Sequence, residues 1–333
     1  VADAPLKVEE DLRAALSALS LRLDAGATGV EGLQRLSGGA TQEIWRFDLT
    51  GPSGRTPLIL RREPAGRTSV AAVGLETEAA LIVAASAKDV PVPPVRHVLE
   101  PADGLGRGFI MGFVEGETLG GRIVKAEALA PARAILAHQC GEILARIHAI
   151  DPAAFPTLPV LAPVDLVDQW QAVYRAAEHP RPVFELAFRW LAQNCPPPPK
   201  TPRLVHGDFR NGNLMIGPEG VRAVLDWELA HIGDPMEDLG WICVNSWRFG
   251  RMDKPVGGFG DFDDLVAGYE AAGGAVVDRG AAKWWEVFGT VRWGCMCAGM
   301  TASFRTGDPS VERAMIARRT SETEIDLLRL LKA

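Results

Sequence analysis

The segment HGDFRNGN at 206–213 sets an aspartate five residues ahead of an asparagine, and AVLDWE at 223–228 adds a second aspartate beyond a short turn. A carboxylate can take a proton from a hydroxyl, while hard oxygen ligands can hold Mg²⁺ against the phosphates of a nucleotide. Asp208, Asn213 and Asp226 therefore read as a constellation for phosphoryl transfer. Asp, Asn and Gly also favour turns for purely local reasons. Asp226 tips the balance. It is expected to end an apolar strand (AVLD) that pairs with NLMIG (213–217) across the turn GPEG, which returns it towards the loop bearing Asp208. A carboxylate at the end of a buried strand is costly unless it is paired or bound to metal.

A rival chemistry uses His206, Asp208, Asp226, His231 and Asp234 to grip zinc or iron as a metallohydrolase would. The two histidines are far apart in sequence and no HxH or HExxH accompanies them, so His206 is expected instead to orient the loop from behind. The bend SGGA, Ser37, Gly38, Gly39 and Ala40, can lay backbone N–H groups over phosphates or simply close a hairpin. It is neither GxxxxGK[ST] nor GxGxxG, which leaves P-loop and Rossmann folds without support. In LILRR (58–62), alternation puts Leu58 and Leu60 on one face, with Ile59 and Arg61 on the other. Arg61 is then expected under bound phosphates, held by Glu78, with Arg62 facing solvent. Glu78 is preferred to Glu76 because it begins the apolar run AALIV.

Elements must hold these residues in place. Runs around SGGA, the stretch PLILRRE (57–63) and FIMGFV (109–114) predict an antiparallel sheet, with one Ala-rich helix over 70–87. Beyond it the chain is mainly helical, with helices expected over 126–149, 165–179, 183–194, 236–247, 262–272, 281–304 and 309–331. Short strands flank the HGD loop. The predicted division is an N-terminal lobe at 1–111, a hinge at 112–116 and a C-terminal lobe at 117–333.

Of the 333 residues, 47% are hydrophobic and 23% charged, and the net charge of −7 argues against a nucleic-acid partner. The five cysteines lack paired metal-ligand spacing and suit buried thiols in a reducing compartment. No apolar run is long enough to span a membrane, and the acidic start (VADAPLKVEEDL) lacks the features of a signal peptide. The expectation is a cytoplasmic protein with no membrane partner.

The order SGGA, LILR, a helix with Glu78, FIMGFVEG, LARIHAID, HGDFRNGN, AVLDWE and GDPMEDLGW is similar to that of the aminoglycoside phosphotransferase-like kinase family. It resembles especially the kinase-like domains found beside acyl-CoA dehydrogenases. The resemblance implies an α+β, two-lobed protein-kinase-like fold with ATP in its cleft and Mg²⁺ beside it. It implies Asp208 as catalytic base, Asn213 and Asp226 as Mg²⁺ ligands, and 37–40 as the loop over the phosphates. Met111 to Gly116 would form the hinge, with the Gly112 carbonyl and Val114 N–H at the adenine edge. Asp234 and Asp238 would brace the C-terminal lobe. Arg61 stands where the family has a lysine, and its planar fork is not equivalent to an ammonium.

The protein-kinase HRD, DFG and APE set is missing. The expected activity is therefore ATP- and Mg²⁺-dependent phosphorylation of a small-molecule hydroxyl. A nucleotide-binding module without efficient turnover is the alternative that Arg61 raises. Trp247, Arg248, Arg292 and Trp293 are the expected substrate contacts, suiting an apolar or anionic acceptor. The acidic stretch DFDDLVAGYE (261–270) is the one local cluster that would suit an aminoglycoside.

Overall fold

The computed structural model describes residues 3–36, 42–63, 73–177, 179–305, 307 and 310–332. The SGGA bend at 37–40 lies outside the described residues. The chain divides into two compact units: Val1–Glu115 with Leu225–Leu229, and Gly116–Val224 with Ala230–Ala333.

In the first unit, helix α1 (Asp3–Leu23) precedes strands β1 (Gly29–Leu36), β2 (Glu43–Gly51) and β3 (Gly54–Glu63). Helix α2 (Leu75–Ser86), β4 (Val95–Val98) and β5 (Arg107–Gly112) follow. The five strands run in the order β1-β2-β3-β5-β4, and every neighbouring pair is antiparallel. Period-two alternation gives β3 two distinct faces. Leu58 and Leu60 join Trp45, Phe47 and Ile110 in a core closed by Leu12, Leu16 and Leu19 of α1. Arg61 points to the opposite face, where α2 brings Glu78.

Arg62 does not face solvent as its place in the strand suggested. Its Nε and Nη2 both donate to Glu43 Oε2, at 3.1 and 2.9 Å, and Nη1 donates to the Leu105 carbonyl at 3.2 Å. A cation buried this deeply needs such partners, and the neighbouring strand supplies the carboxylate.

The second unit opens with the short helices α3 (Gly120–Ile123) and α4 (Ala130–Arg133), then α5 (Leu136–His148), α6 (Pro163–Ala176) and α7 (Pro182–Gln193). The single helix expected over 126–149 is thus divided. Pro131 lacks an N–H to bond backwards, so it sits in the first turn of α4 rather than inside a longer helix. Three small pairings then form the site's framework. Strand β6 (Arg203–Val205) pairs with β9 (His231–Gly233), and β7 (Leu214–Gly217) pairs with β8 (Gly220–Val224) across the GPEG turn. Glu117 bridges to Ile216.

Helix α8 (Met236–Trp241) is shorter than the stretch predicted over 236–247, and α9 (Phe262–Ala271) and α10 (Arg279–Arg305) follow. Two helices, α11 (Val311–Ala317) and α12 (Thr320–Leu331), replace the one expected over 309–331. Ser310 caps α11 by accepting from the Arg313 N–H. Cys140, Cys243, Cys295 and Cys297 are buried free thiols. Among the described residues no helix is long and apolar enough to cross a membrane.

Candidate active site

In the second unit the HGD loop leaves β6 at Val205 and enters β7 at Leu214, so both of its ends are fixed by strands. Gly207 (φ 78°) and Gly212 (φ 116°) adopt backbone conformations that residues with a Cβ rarely take. Asp238, fully buried on α8, holds the loop's entrance. Its carboxylate accepts from the backbone N–H of His206 at 2.8 Å and of Gly207 at 3.0 Å. It also meets His148 Nε2 at 3.1 Å, while His148 Nδ1 meets the Tyr269 hydroxyl at 2.9 Å. Burial alone would push the Asp238 carboxyl up, but His148 and His206 outweigh it and hold the group below the usual carboxylate range.

Asp234 serves as a brace of another kind. It accepts from Trp285 Nε1 at 2.8 Å and from the Met236 N–H at 3.0 Å, and burial raises its pKa.

Asp208 is saturated on one side. Its Oδ1 accepts from Trp241 Nε1 at 2.8 Å and from Arg210 Nε at 3.0 Å. Its Oδ2 accepts from Asn213 Nδ2 at 2.6 Å, and the same amide reaches the Asp208 carbonyl at 3.0 Å. His206 supports the loop from within, with Nδ1 accepting from the Asp208 N–H at 3.2 Å. Neither Trp241 nor Arg210 was singled out in the sequence. One signal existed: Trp241 follows Asp238 by three residues, and on a helix that spacing shares a face.

Aromatic rings gather behind this carboxylate. Trp241 and Trp247 lie 5.3 Å apart between ring centroids, and Trp247 and Trp293 lie 4.9 Å apart. Arg210 lies over Trp247 at 4.5 Å and Arg292 over Trp241 at 4.8 Å. Of the four expected substrate contacts, Trp247, Arg292 and Trp293 thus join the surroundings of Asp208. Arg248 does not: it donates to the Cys243 carbonyl through Nε and Nη2 and pairs with Glu286 at 2.7 Å. The acidic stretch is likewise engaged locally, with Asp261 on Lys254 at 2.8 Å and Asp263 on Arg279 at 2.7 Å.

In the first unit Arg61 is the centre of a carboxylate cluster. It pairs with Glu78 at 3.1 Å, Asp226 at 3.1 Å and Glu228 at 3.6 Å, and its Nε donates to Gln42 at 2.9 Å. Glu76, the other candidate partner, is taken by Arg107 at 2.6 Å. Burial works to lower the Arg61 pKa, yet Glu78 and Asp226 outweigh it and the guanidinium is held above its usual value. Burial also pushes the Glu78 carboxyl up to about 7, against the pull of Arg61 and with a further push from Asp226 and Glu228. The Trp227 N–H donates to Glu78 Oε1 at 3.3 Å, which ties the segment after β8 to α2.

Asp226 itself lies two residues beyond the strand, in the left-handed region at φ 66°. Of the adenine-edge candidates, Met111 pairs with Ile59 in the sheet, and Gly112 ends β5 with its N–H on the Pro94 carbonyl at 2.9 Å. Val114, half-buried, lies two residues past the strand's end.

Three carboxylates surround one guanidinium at Arg61, and the Asp226 side chain is 34% exposed. Asp226 in the first unit and Asn213 in the second each carry a hard oxygen of the kind that Mg²⁺ takes. No three His, Cys, Asp or Glu side chains converge as metal ligands among the described residues. His231 bonds Glu237 at 3.0 Å.

Acyl-CoA dehydrogenase family member 10 of Mus musculus is 33% identical over 196 residues, which are 56% of this chain and only 18% of that protein. The chain therefore spans less than a fifth of that relative's length. The crystal structure of a putative aminoglycoside phosphotransferase from Ralstonia eutropha superposes with a TM-score of 0.74 at 23% identity, covering 96% of this chain and 98% of that one. A spectinomycin phosphotransferase solved with ADP and spectinomycin gives a TM-score of 0.64 at 14% identity, covering 95% and 98%. Both structures share the kinase-like fold. Residues 32–276 match the model of the phosphotransferase enzyme family, known by the abbreviation APH, and with most of its length inside that match the chain belongs to this family.

Proposed function

We propose that the protein transfers the terminal phosphoryl group of Mg·ATP to the hydroxyl of a small molecule. The observation that carries this reading is the state of Asp208. A carboxylate offers about four lone-pair positions. Trp241 and Arg210 occupy Oδ1, whereas Oδ2 has one donor, Asn213, and keeps a position for an incoming hydroxyl. Asp208 accepts the hydroxyl proton there as the oxygen attacks the terminal phosphorus. The bond to the bridging oxygen breaks, and ADP leaves with the electron pair. No covalent intermediate on the protein is needed, and catalysis rests on positioning and charge.

Asn213 and Asp226 would hold Mg²⁺, which when bound neutralises charge on the phosphate oxygens. Arg61 would pair with a phosphate while Glu78 keeps its guanidinium in place. Arg210, with its side chain 25% exposed beside Asp208, favours an acceptor with an acidic group, such as a hydroxy acid or hydroxyacyl thioester. The pairing of Asp261 and Asp263 with neighbouring cations speaks against a polycationic aminoglycoside. Similarity to a protein named for acyl-CoA dehydrogenase points the same way by analogy.

A second reading, a nucleotide-binding module without efficient turnover, is favoured by the hold of Arg61 on Asp226. An ATP-consumption screen over hydroxy acids, hydroxyacyl thioesters, amino alcohols, sugars and aminoglycosides tests both. Acceptor-dependent ADP formation that Asp208→Ala abolishes supports transfer. Tight ATP binding with no acceptor in any class supports the module.

A further inference from the structure

We infer that Trp241 is a positioning residue for Asp208, and that Arg292 acts on Asp208 through Trp241 rather than by touching the acceptor. The inference rests on the reading of Asp208 as the base. The indole Nε1–H is a donor only, and its one bond goes to Oδ1 at 2.8 Å. Carboxylate torsions are broad, so a free Asp208 would sample many rotations about its last bond. With Trp241 and Arg210 both on Oδ1, the carboxylate is fixed with Oδ2 turned to Asn213 and to the remaining lone pair.

Trp241 can impose this because it is itself buried and closely packed. It is 4% exposed and lies against Trp247, with the Arg292 guanidinium over its ring. It also shares α8 with Asp238, which grips the backbone of His206 and Gly207. One short helix therefore sets both the loop and the carboxylate at its tip.

Arg292 is placed as a clamp. It is 8% exposed, and its guanidinium lies over Trp241 and, at 5.7 Å, over Trp170. Its ion pair to Glu237 is long, at 3.4 Å, and its Nε has no hydrogen-bond partner. A cation held between ring faces stabilises the rings it covers.

The test measures phosphate release from Mg·ATP with water as acceptor, in the full chain. Trp241→Phe keeps a ring and removes the N–H. It should slow release at least tenfold while the KM for ATP stays within twofold. Combined with Asp208→Asn it should add no further loss, since the indole acts only through that carboxylate. Arg292→Met should slow release in the wild-type background and have no effect beside Trp241→Phe. The ¹⁵N-labelled indole signal of Trp241 should shift in Asp208→Ala, a readout that needs neither turnover nor a folded Trp241 variant. Wild-type release by Trp241→Phe, additive losses in the double variant, or an unmoved indole signal overturns the inference. Wild-type release by Asp208→Asn overturns the base assignment beneath it, and is distinguishable because it appears without any change at Trp241.

Discussion

The Asp238 carboxylate accepts the His206 backbone N–H at 2.8 Å across 32 residues of sequence, and the HGD loop is thereby anchored to α8. Asp238→Ala leaves buried donors on His206, Gly207 and His148 without an acceptor, and should cost about 3–5 kcal/mol of stability. The pH dependence has a definite sign. Asp238 titrates below its unfolded value, so the unfolded chain binds more protons in the window between the two. The group's stabilisation is present above about pH 4 and lost as pH falls through the folded value. Urea unfolding between pH 2 and 6 should show the gap between wild type and Asp238→Asn narrowing towards acid; a constant gap contradicts this.

Asp208→Ala and Asp226→Ala should fail differently. The first removes the proposed proton acceptor and should leave ATP affinity nearly intact while transfer falls at least a hundredfold, within the range for a lost general base. The second removes a proposed metal ligand and should weaken Mg·ATP binding. Isothermal titration with and without Mg²⁺ separates them, and chelation by EDTA should make wild type resemble Asp226→Ala.

Part of the fold was legible in the sequence alone. The HGD loop lies between short strands because apolar runs and Gly-rich turns are local signals, and Glu78 is distinguished from Glu76 by the apolar run that it opens. Arg62 was not legible: alternation assigns a face, but only the neighbouring strand reveals that the face carries α1 and a waiting Glu43. Trp241 was hidden for a similar reason. Its role depends on a contact 33 residues away, at which only its spacing from Asp238 hinted. At Arg248 the sequence could not show the partners that the structure gives it, the Cys243 carbonyl and Glu286.

Arg61→Ala should raise the ATP KM and lower turnover, and it should also destabilise the fold by exposing Glu78 to burial without its partner. That stability loss should be about 2–4 kcal/mol, limited because Glu78 can protonate. Arg61→Lys should recover part of the activity. Arg61→Ala with Glu78→Gln should regain most of the stability without regaining activity, as read by thermal unfolding and ATP turnover in parallel.

Gly141→Ala tests the contact that seats His148. Alanine normally favours a helix over glycine by about 1 kcal/mol. At Gly141 a Cβ would run into the Leu265 carbonyl and come within 2.6 Å of the Tyr269 nitrogen, both backbone atoms of α9. The variant should instead lose about 2 kcal/mol or more by overpacking, visible as a lower urea midpoint.

The N-terminal unit takes back Leu225–Leu229 after more than a hundred residues spent in the other unit. The polypeptide therefore passes from one unit to the other three times, after Glu115, Val224 and Leu229. A fragment ending at residue 115 would keep Arg61 and Glu78 but lose Asp226, Glu228 and the Trp227 N–H that complete their network. Swapping this lobe between relatives as one continuous block would likewise separate the guanidinium from two of its carboxylates. A chimera has to carry the five-residue return segment along with the lobe, so the lobe is transferable only as two separated stretches of chain.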